Sequence, residues 1–211
     1  MKVYDISPKI SSKLAVWPGD VPFQREISLS FANGDHLTLS AVKTSLHLGA
    51  HADASNHYHA KGVGIEKRPL SPYMGNCQVL DVPKKSGGRI AWPEVQDAIG
   101  GRGVLAKRIL FKTSSFLDPE NWNHDFASLS VEVVQEMAKM GVRLLGIDTP
   151  SVDPETSKEL EAHLAIYSRD ICILEGLVLS RVPVGVYTLI ALPLPLVDAD
   201  ASPVRAICKA Q

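Results

Sequence analysis

Residues 23–31, FQREISLSF, alternate: Phe23, Ile27, Leu29 and Phe31 fall on one side, and Gln24, Glu26, Ser28 and Ser30 on the other. A two-residue period predicts a half-exposed strand. Asn33-Gly34-Asp35 supplies turn chemistry, and HLTLSAV reads as the returning strand of a hairpin. The short apolar runs CQVLDV, RILFKT, RLLGID and ICILEG lack this alternation, as expected of strands covered on both faces. Helical patterns separate several of them. One starts near Trp92-Pro93 and stops at Gly100. A second runs from Ser130 as N-cap to Gly141. A third follows Thr156 and Glu159, spaced as a capping box, and reaches about Ser168. Antiparallel strands at the front and alternating strands and helices behind predict an α/β fold with a mixed sheet and packed helices.

The length of 211 residues permits one domain, 1–211, with a proper core, and neither a repeat nor a linker divides it. A formal net charge of -1, with scattered lysines and arginines, argues against a nucleic-acid partner. The opening MKVYDISPKI lacks the apolar stretch of a signal peptide, and VYTLIALPLPLV is broken by two prolines, so no membrane span is expected. Cys77, Cys172 and Cys208 form no CxxC pair and sit in apolar surroundings. Reduced, buried thiols in a cytoplasmic protein are the expectation.

Candidate chemistry gathers in HLGAHADASNH, residues 47–57. Imidazole and carboxylate are good ligands for divalent metals, and His47, His51, Asp53 and His57 share odd parity. A straight strand would nevertheless leave His47 and His51 roughly 13 Å apart at about 3.3 Å per residue. A helix would turn Asp53 about 200° away from His51. A strand that ends near Gly49 and folds into a tight turn could gather all four, because glycine has the backbone freedom for it. The small neighbours Gly49, Ala50, Ala52 and Ala54 leave room. His59 is read as a wall or surface residue.

Two further donors lie far along the chain. Leu160, His163, Leu164 and Tyr167 follow helical spacing, which places His163 on the inward face; a satisfied core histidine is the alternative. Glu175 ends ICIL with the parity of Ile171 and Ile173. A carboxylate on the buried side of a strand costs several kcal/mol unless paired, protonated or bound to a cation. Three histidines and two carboxylates exceed the needs of one tetrahedral ion and suit two ions with bridging carboxylates.

HLGAHADASNH resembles the HxGTHxDxPxH signature of the metal-dependent cyclase-like hydrolases. VWPGDVPF, GIDTPSVDP, SKELEAH, ILEGLVLSRVPVGVYTLIALPLPL and DASPVRAI extend the resemblance over almost the whole chain, toward the bacterial kynurenine formamidases of that group. The resemblance implies a swivelling β/β/α-type fold, a homodimer, and two divalent ions per subunit, zinc before manganese. It implies His47, His51 and Asp53 as metal ligands, His163 as a ligand of the second ion, and Glu175 as a bridge beside Asp53. It further implies His57 as acid/base, with completion of a coordination sphere as its alternative role, and Trp17 in the substrate pocket. Ala50 replaces the wider group's threonine, as is common in formamidases, and Ser55 replaces a usual proline, which loosens the turn before His57. The implied reaction is hydrolysis of N-formyl-L-kynurenine to L-kynurenine and formate, by hydroxide held between the ions. A related hydrolase acting on another aryl or cyclic amide, or a non-catalytic metal-binding protein, are the rival readings. A serine nucleophile is not expected, since no GxSxG elbow is present.

Overall fold

The four uninterrupted apolar runs become the centre of one large sheet. The computed structural model describes residues 2–84 and 87–211. Its first strands are β1 (Val3–Asp5), β2 (Gln24–Leu29), β3 (Leu39–Lys43), β4 (His51–Asp53), β5 (Met74–Asp81), β6 (Gly88–Ile90), β7 (Arg108–Lys112) and β8 (Ala127–Leu129). There follow β9 (Leu144–Ile147), β10 (Cys172–Glu175), β11 (Gly185–Ile190), β12 (Ala201–Pro203) and β13 (Ile207–Ala210). The helices are α1 (Trp92–Ile99), α2 (Val131–Lys139) and α3 (Glu161–Ser168).

The main sheet runs β1-β13-β11-β5-β7-β9-β10-β4-β12. Its middle, β5-β7-β9-β10, is parallel, and both flanks are antiparallel, so the expected mixed sheet is found. Alternate residues of the central strands serve two cores. Ile109, Phe111, Leu145, Ile147 and Ile173 pack with Val133, Met137 and Ile166 of the helical layer. Leu110, Leu144, Cys172 and Leu174 face the other way and meet Ala52 of β4, Leu189 of β11 and Cys208 of β13. Strands from near both edges thus share one inner cluster, which requires the sheet to curl. A backbone bond at 2.8 Å from Val178 N–H, in the segment after β10, to Ile6 O, just after β1, ties the curl together. The three cysteines are free and buried.

Several local expectations change. The hairpin β2–β3 forms, but as a two-stranded sheet apart from the main one. Its residues are exposed apart from the half-buried Leu29, rather than half-covered as the alternation suggested. Alternation reports which side chains share a face, not whether a body lies beneath it. Phe31 leaves the strand for a short 3₁₀ turn. The third helix starts later than Thr156 and Glu159 predict. Asp153 accepts from Ala162 N–H and His163 N–H, and Ser157 Oγ accepts from Leu160 N–H; these donors therefore have their acceptors without a Thr156 cap. Leu164 is exposed, and the buried side of α3 is Ala162, His163 and Ile166.

Gly176, just beyond β10, has φ +63°, and a Cβ there would lie 2.1 Å from the Gly49 carbonyl oxygen. A side chain would both strain the backbone and push this oxygen away, so Gly176→Ala should cost about 2–4 kcal/mol. Gly101 has no neighbour within 4 Å of such a Cβ, and Gly101→Ala should change stability by less than about 0.5 kcal/mol. Urea unfolding midpoints of the two variants measure the contrast; equal midpoints would contradict the packing described.

Candidate metal centre

β4 lies between β10 and β12, with Glu175 opposite His51 and Ile173 opposite Asp53. The two-residue strand period places His51, Asp53 and Glu175 on one face, while Ala50, Ala52 and Ala54 fill the inner core behind them. The strand begins after Gly49 instead of ending there. Gly49, at φ +66°, belongs to the bend before β4 that brings His47 back, with Nδ1 3.2 Å from Asp53 Oδ1. α3 brings His163 from the helical side, Nε2 lying 3.4 Å from Asp53 Oδ2 and 3.6 Å from Glu175 Oε1. His51 Nε2 stands 3.4 Å from Asp53 Oδ1 and 3.2 Å from Glu175 Oε2. All five residues expected as ligands converge.

The donor set fits divalent cations. His51 Nε2, His163 Nε2 and both Asp53 oxygens are buried without a hydrogen-bond partner. They crowd within contact distance yet out of hydrogen-bond alignment, and buried polar atoms are rarely left so. Each imidazole presents one nitrogen to this knot and has an acceptor for the other. His51 Nδ1–H donates to Gly49 O at 2.9 Å, His163 Nδ1–H to Asp153 Oδ2 at 2.8 Å, and His47 Nε2–H to Asp200 Oδ2 at 3.0 Å. Ligating histidines are commonly fixed in this way. Two overlapping donor sets, His51–Asp53–Glu175 and His47–Asp53–His57, each have ligand atoms within 4.8 Å of one another and share Asp53.

Charge follows the same geometry. Burial opposes ionisation of Asp53, but His163 and His47 hold its carboxyl well below the usual range. Burial likewise opposes charge on His47 and His163. Asp53 nevertheless raises His47 to about 9, and Asp153 with Asp53 raises His163 to about 10. Burial also opposes charge on Asp153, yet hydrogen bonds from His163, Ala162 and Arg89 hold it at about 2. His57 ends the 3₁₀ turn Ser55–His57, its ring 4.1 Å from that of His47. Lost hydration lowers its imidazole below the ordinary value.

A cavity of about 520 Å³ opens over this cluster, lined by His47, His57, His163 and Glu175 on one side and by Trp17, Phe116 and Trp122 on the other. Trp17 is where expected, edge-on to Trp122 with ring centroids 5.4 Å apart and to Phe126 at 6.2 Å. His59, expected as a wall or surface residue, is half-buried, stacks on Tyr167 at 3.8 Å and stays out of the cavity lining. Sequence reasoning missed Asp153, Asp200, Phe116 and Trp122. The aromatic density of residues 116–126 was a usable signal for the last two. Asp153 and Asp200 lie in the segments GIDTPSVDP and DASPVRAI that resemble the family, but no local spacing pairs them with His163 and His47, which lie 10 and 153 residues away.

Comparison with known proteins agrees with this geometry. A family model described as "Putative cyclase" matches residues 4–154, well over half of the chain. The chain is 40% identical over 208 residues to a protein named kynurenine formamidase from Sphingopyxis alaskensis, covering 99% of this chain and 98% of the relative. It is equally similar, at 40% with the same coverage, to the kynurenine formamidase of Bordetella avium. A solved structure described as a predicted metal-dependent hydrolase from Bacillus stearothermophilus superposes with a TM-score of 0.80 at 26% identity, covering 98% of this chain and 97% of that one.

With values of about 9 and 10, His47 and His163 carry protons at pH 7 in the metal-free protein. Ligation needs their lone pairs, so metal uptake at pH 7 should release about two protons per chain. Titration calorimetry in buffers of different ionisation enthalpy counts them; no release would contradict the charge state described. In the metal-free protein, the stability from these imidazolium contacts is full below the unfolded value near 6.5 and is lost as pH rises through about 9 to 10.

Proposed function

The chain belongs to the cyclase family, and from that premise we propose that it is a metal-dependent amidohydrolase cleaving N-formyl-L-kynurenine to L-kynurenine and formate. The observation that carries the reading is a knot of buried, unpartnered imidazole and carboxylate atoms at the floor of an aromatic-walled cavity. The names of the 40% identical relatives support the choice of substrate.

In this reading His47, His51, Asp53, His163 and Glu175 would hold two divalent ions; zinc would suit the nitrogen-rich set, with manganese the alternative. Bound divalent ions would supply Lewis acidity toward the formyl oxygen and lower the pKa of water toward neutrality. The chain's own residues do the rest. Trp17, with Phe116 and Trp122, offers a wall for the aryl ring, an aromatic pairing worth about 0.5–1.5 kcal/mol beyond burial. Water adds to the formyl carbon as the C–N bond breaks, and the departing aniline nitrogen must receive a proton. His57, neutral at pH 7 and open to the cavity, is suited to take a proton from the water and pass it to that nitrogen.

The homodimer implied by the family resemblance and a cytoplasmic location belong to the same reading. Ile27, Phe31, Leu39 and Val42 leave apolar surface on the hairpin for a second copy to cover. Three free thiols suit a reducing compartment. No helix among the described residues is long and apolar enough to cross a membrane.

The test is a spectrophotometric assay of the zinc-loaded protein with formylkynurenine, run beside formanilide and a cyclic amide. Formylkynurenine should be cleaved fastest, chelation should abolish turnover until metal returns, and elemental analysis should approach two ions per chain. Full activity with one ion or none would overturn the two-metal reading, and a preference for the cyclic amide would move the chain to another branch of the family.

His57→Ala should lower kcat by about 10²- to 10⁴-fold with both ions still bound; loss of an ion would make His57 a ligand instead. Trp17→Ala should raise KM several-fold while metal content and thermal midpoint stay near those of the parent. A lowered midpoint with normal affinity in the folded fraction would leave Trp17 a purely structural role.

A further inference from the structure

Asp200 lies outside the five ligands, immediately before β12, and its carboxylate faces two imidazoles at once. Oδ2 accepts from His47 Nε2–H at 3.0 Å and stands 3.6 Å from His57 Nδ1. Among the described residues no other side chain is within salt-bridge distance of this carboxylate. The backbone around it grips the same turn. Ala54 N–H donates to Asp200 O at 2.8 Å, and Asn56 Nδ2–H donates to Asp198 O at 3.2 Å. β12 then pairs Ala201 with Asp53. The segment 198–201 is thus fastened to the residue before the 3₁₀ turn that carries His57 and to the middle of that turn, and of its two acidic side chains Asp200 is the one aimed at the imidazoles.

We propose that Asp200 is a positioning residue that sets the tautomer and ring orientation of His47 and His57 together. Accepting from Nε2–H of His47 leaves Nδ1 with its lone pair toward Asp53, the direction in which a cation would be held. At 3.6 Å the same oxygen lies beyond hydrogen-bond reach of His57 Nδ1 but favours a proton on that nitrogen electrostatically, which leaves Nε2 as the nitrogen free to exchange a proton. One carboxylate would then couple the geometry of metal binding to that of proton transfer. Its half-exposed position suits an orienting role, because it adds a negative acceptor without burying another charge. The inference rests on the roles given above to His47 and His57.

The test compares Asp200→Ala and Asp200→Asn in zinc-loaded protein. Asp200→Ala should lose about 10- to 100-fold in kcat with KM changed less than about 3-fold, and should release zinc to a chelator about 10- to 100-fold faster. Asn retains an acceptor oxygen at the same reach, so Asp200→Asn should recover most of both losses. All three should stay folded in the metal-free form, with a cooperative thermal transition, since the backbone bonds at 198–201 are kept. Unchanged kcat and zinc release in Asp200→Ala, or an Asp200→Asn protein no better than Asp200→Ala, would overturn the proposal. The chelator measurement needs no substrate, so it still decides the matter if formylkynurenine proves not to be the substrate.

Discussion

Two carboxylates held inside the protein, Asp53 and Glu175, are the constraint that the rest of the site answers. Both are almost wholly buried, and the strand register sets them on one face with His51 between them. Water cannot compensate charge there, and an isolated buried carboxylate costs several kcal/mol. Val152 N–H reaches Glu175 Oε1 at 2.7 Å, but Asp53 has no aligned donor. Positive charge has to come from protonated imidazole or from metal. Against the effect of burial, Asp53 accordingly raises His47, and Asp153 with Asp53 raises His163, above the ordinary imidazole range.

Rigidity of the site comes from what lies behind each imidazole. His51 is fixed by its own backbone through Gly49 O, His163 by Asp153, and His47 by Asp200. Asp153 is tied in turn to Arg89 of β6 at 2.7 Å, and it also accepts from the first turn of α3. The acceptor that orients His163 therefore helps to start its helix, so ligand geometry and helix position cannot drift independently. Gly176 allows the Gly49 carbonyl to approach the end of β10, which keeps the His47 bend against Glu175.

The opposite wall of the cavity is built differently. Trp17, Phe116, Trp122 and Phe126 meet edge to face, and they come from two irregular segments joined by Ala15 N–H to Pro119 O at 2.9 Å. Asp148 holds the start of the second segment by accepting from Thr113 and Ser114, even though burial raises its carboxyl above the ordinary range. A polar floor anchored on β4, β10 and α3 and a loop-borne aromatic wall face each other across the cavity. Loops can change their side chains without disturbing the registers that hold the ligands.

The sequence by itself determined the central strands, the three helices and which donors were candidates for a metal. Each of these depends on local pattern: apolar runs long enough for a covered strand, helical periodicity with its stops, and donors packed too densely for an ordinary loop. Gly49 was legible as the pivot of the histidine motif, although the strand starts on its far side. Burial of Glu175 followed from parity alone. Tertiary structure decided what local pattern cannot carry. The curl of the sheet depends on pairings between distant strands, and the exposure of the hairpin depends on whether anything lies under its apolar side. The later start of α3 was set by a carboxylate from the preceding loop, and the acceptors behind His47 and His163 were set by chain segments 153 and 10 residues away. A hydrogen bond across such a span leaves no periodicity in the sequence. It exists because folding closes the loop between its partners, and for that reason the candidate ligands could be read along the chain while the groups that aim them could not.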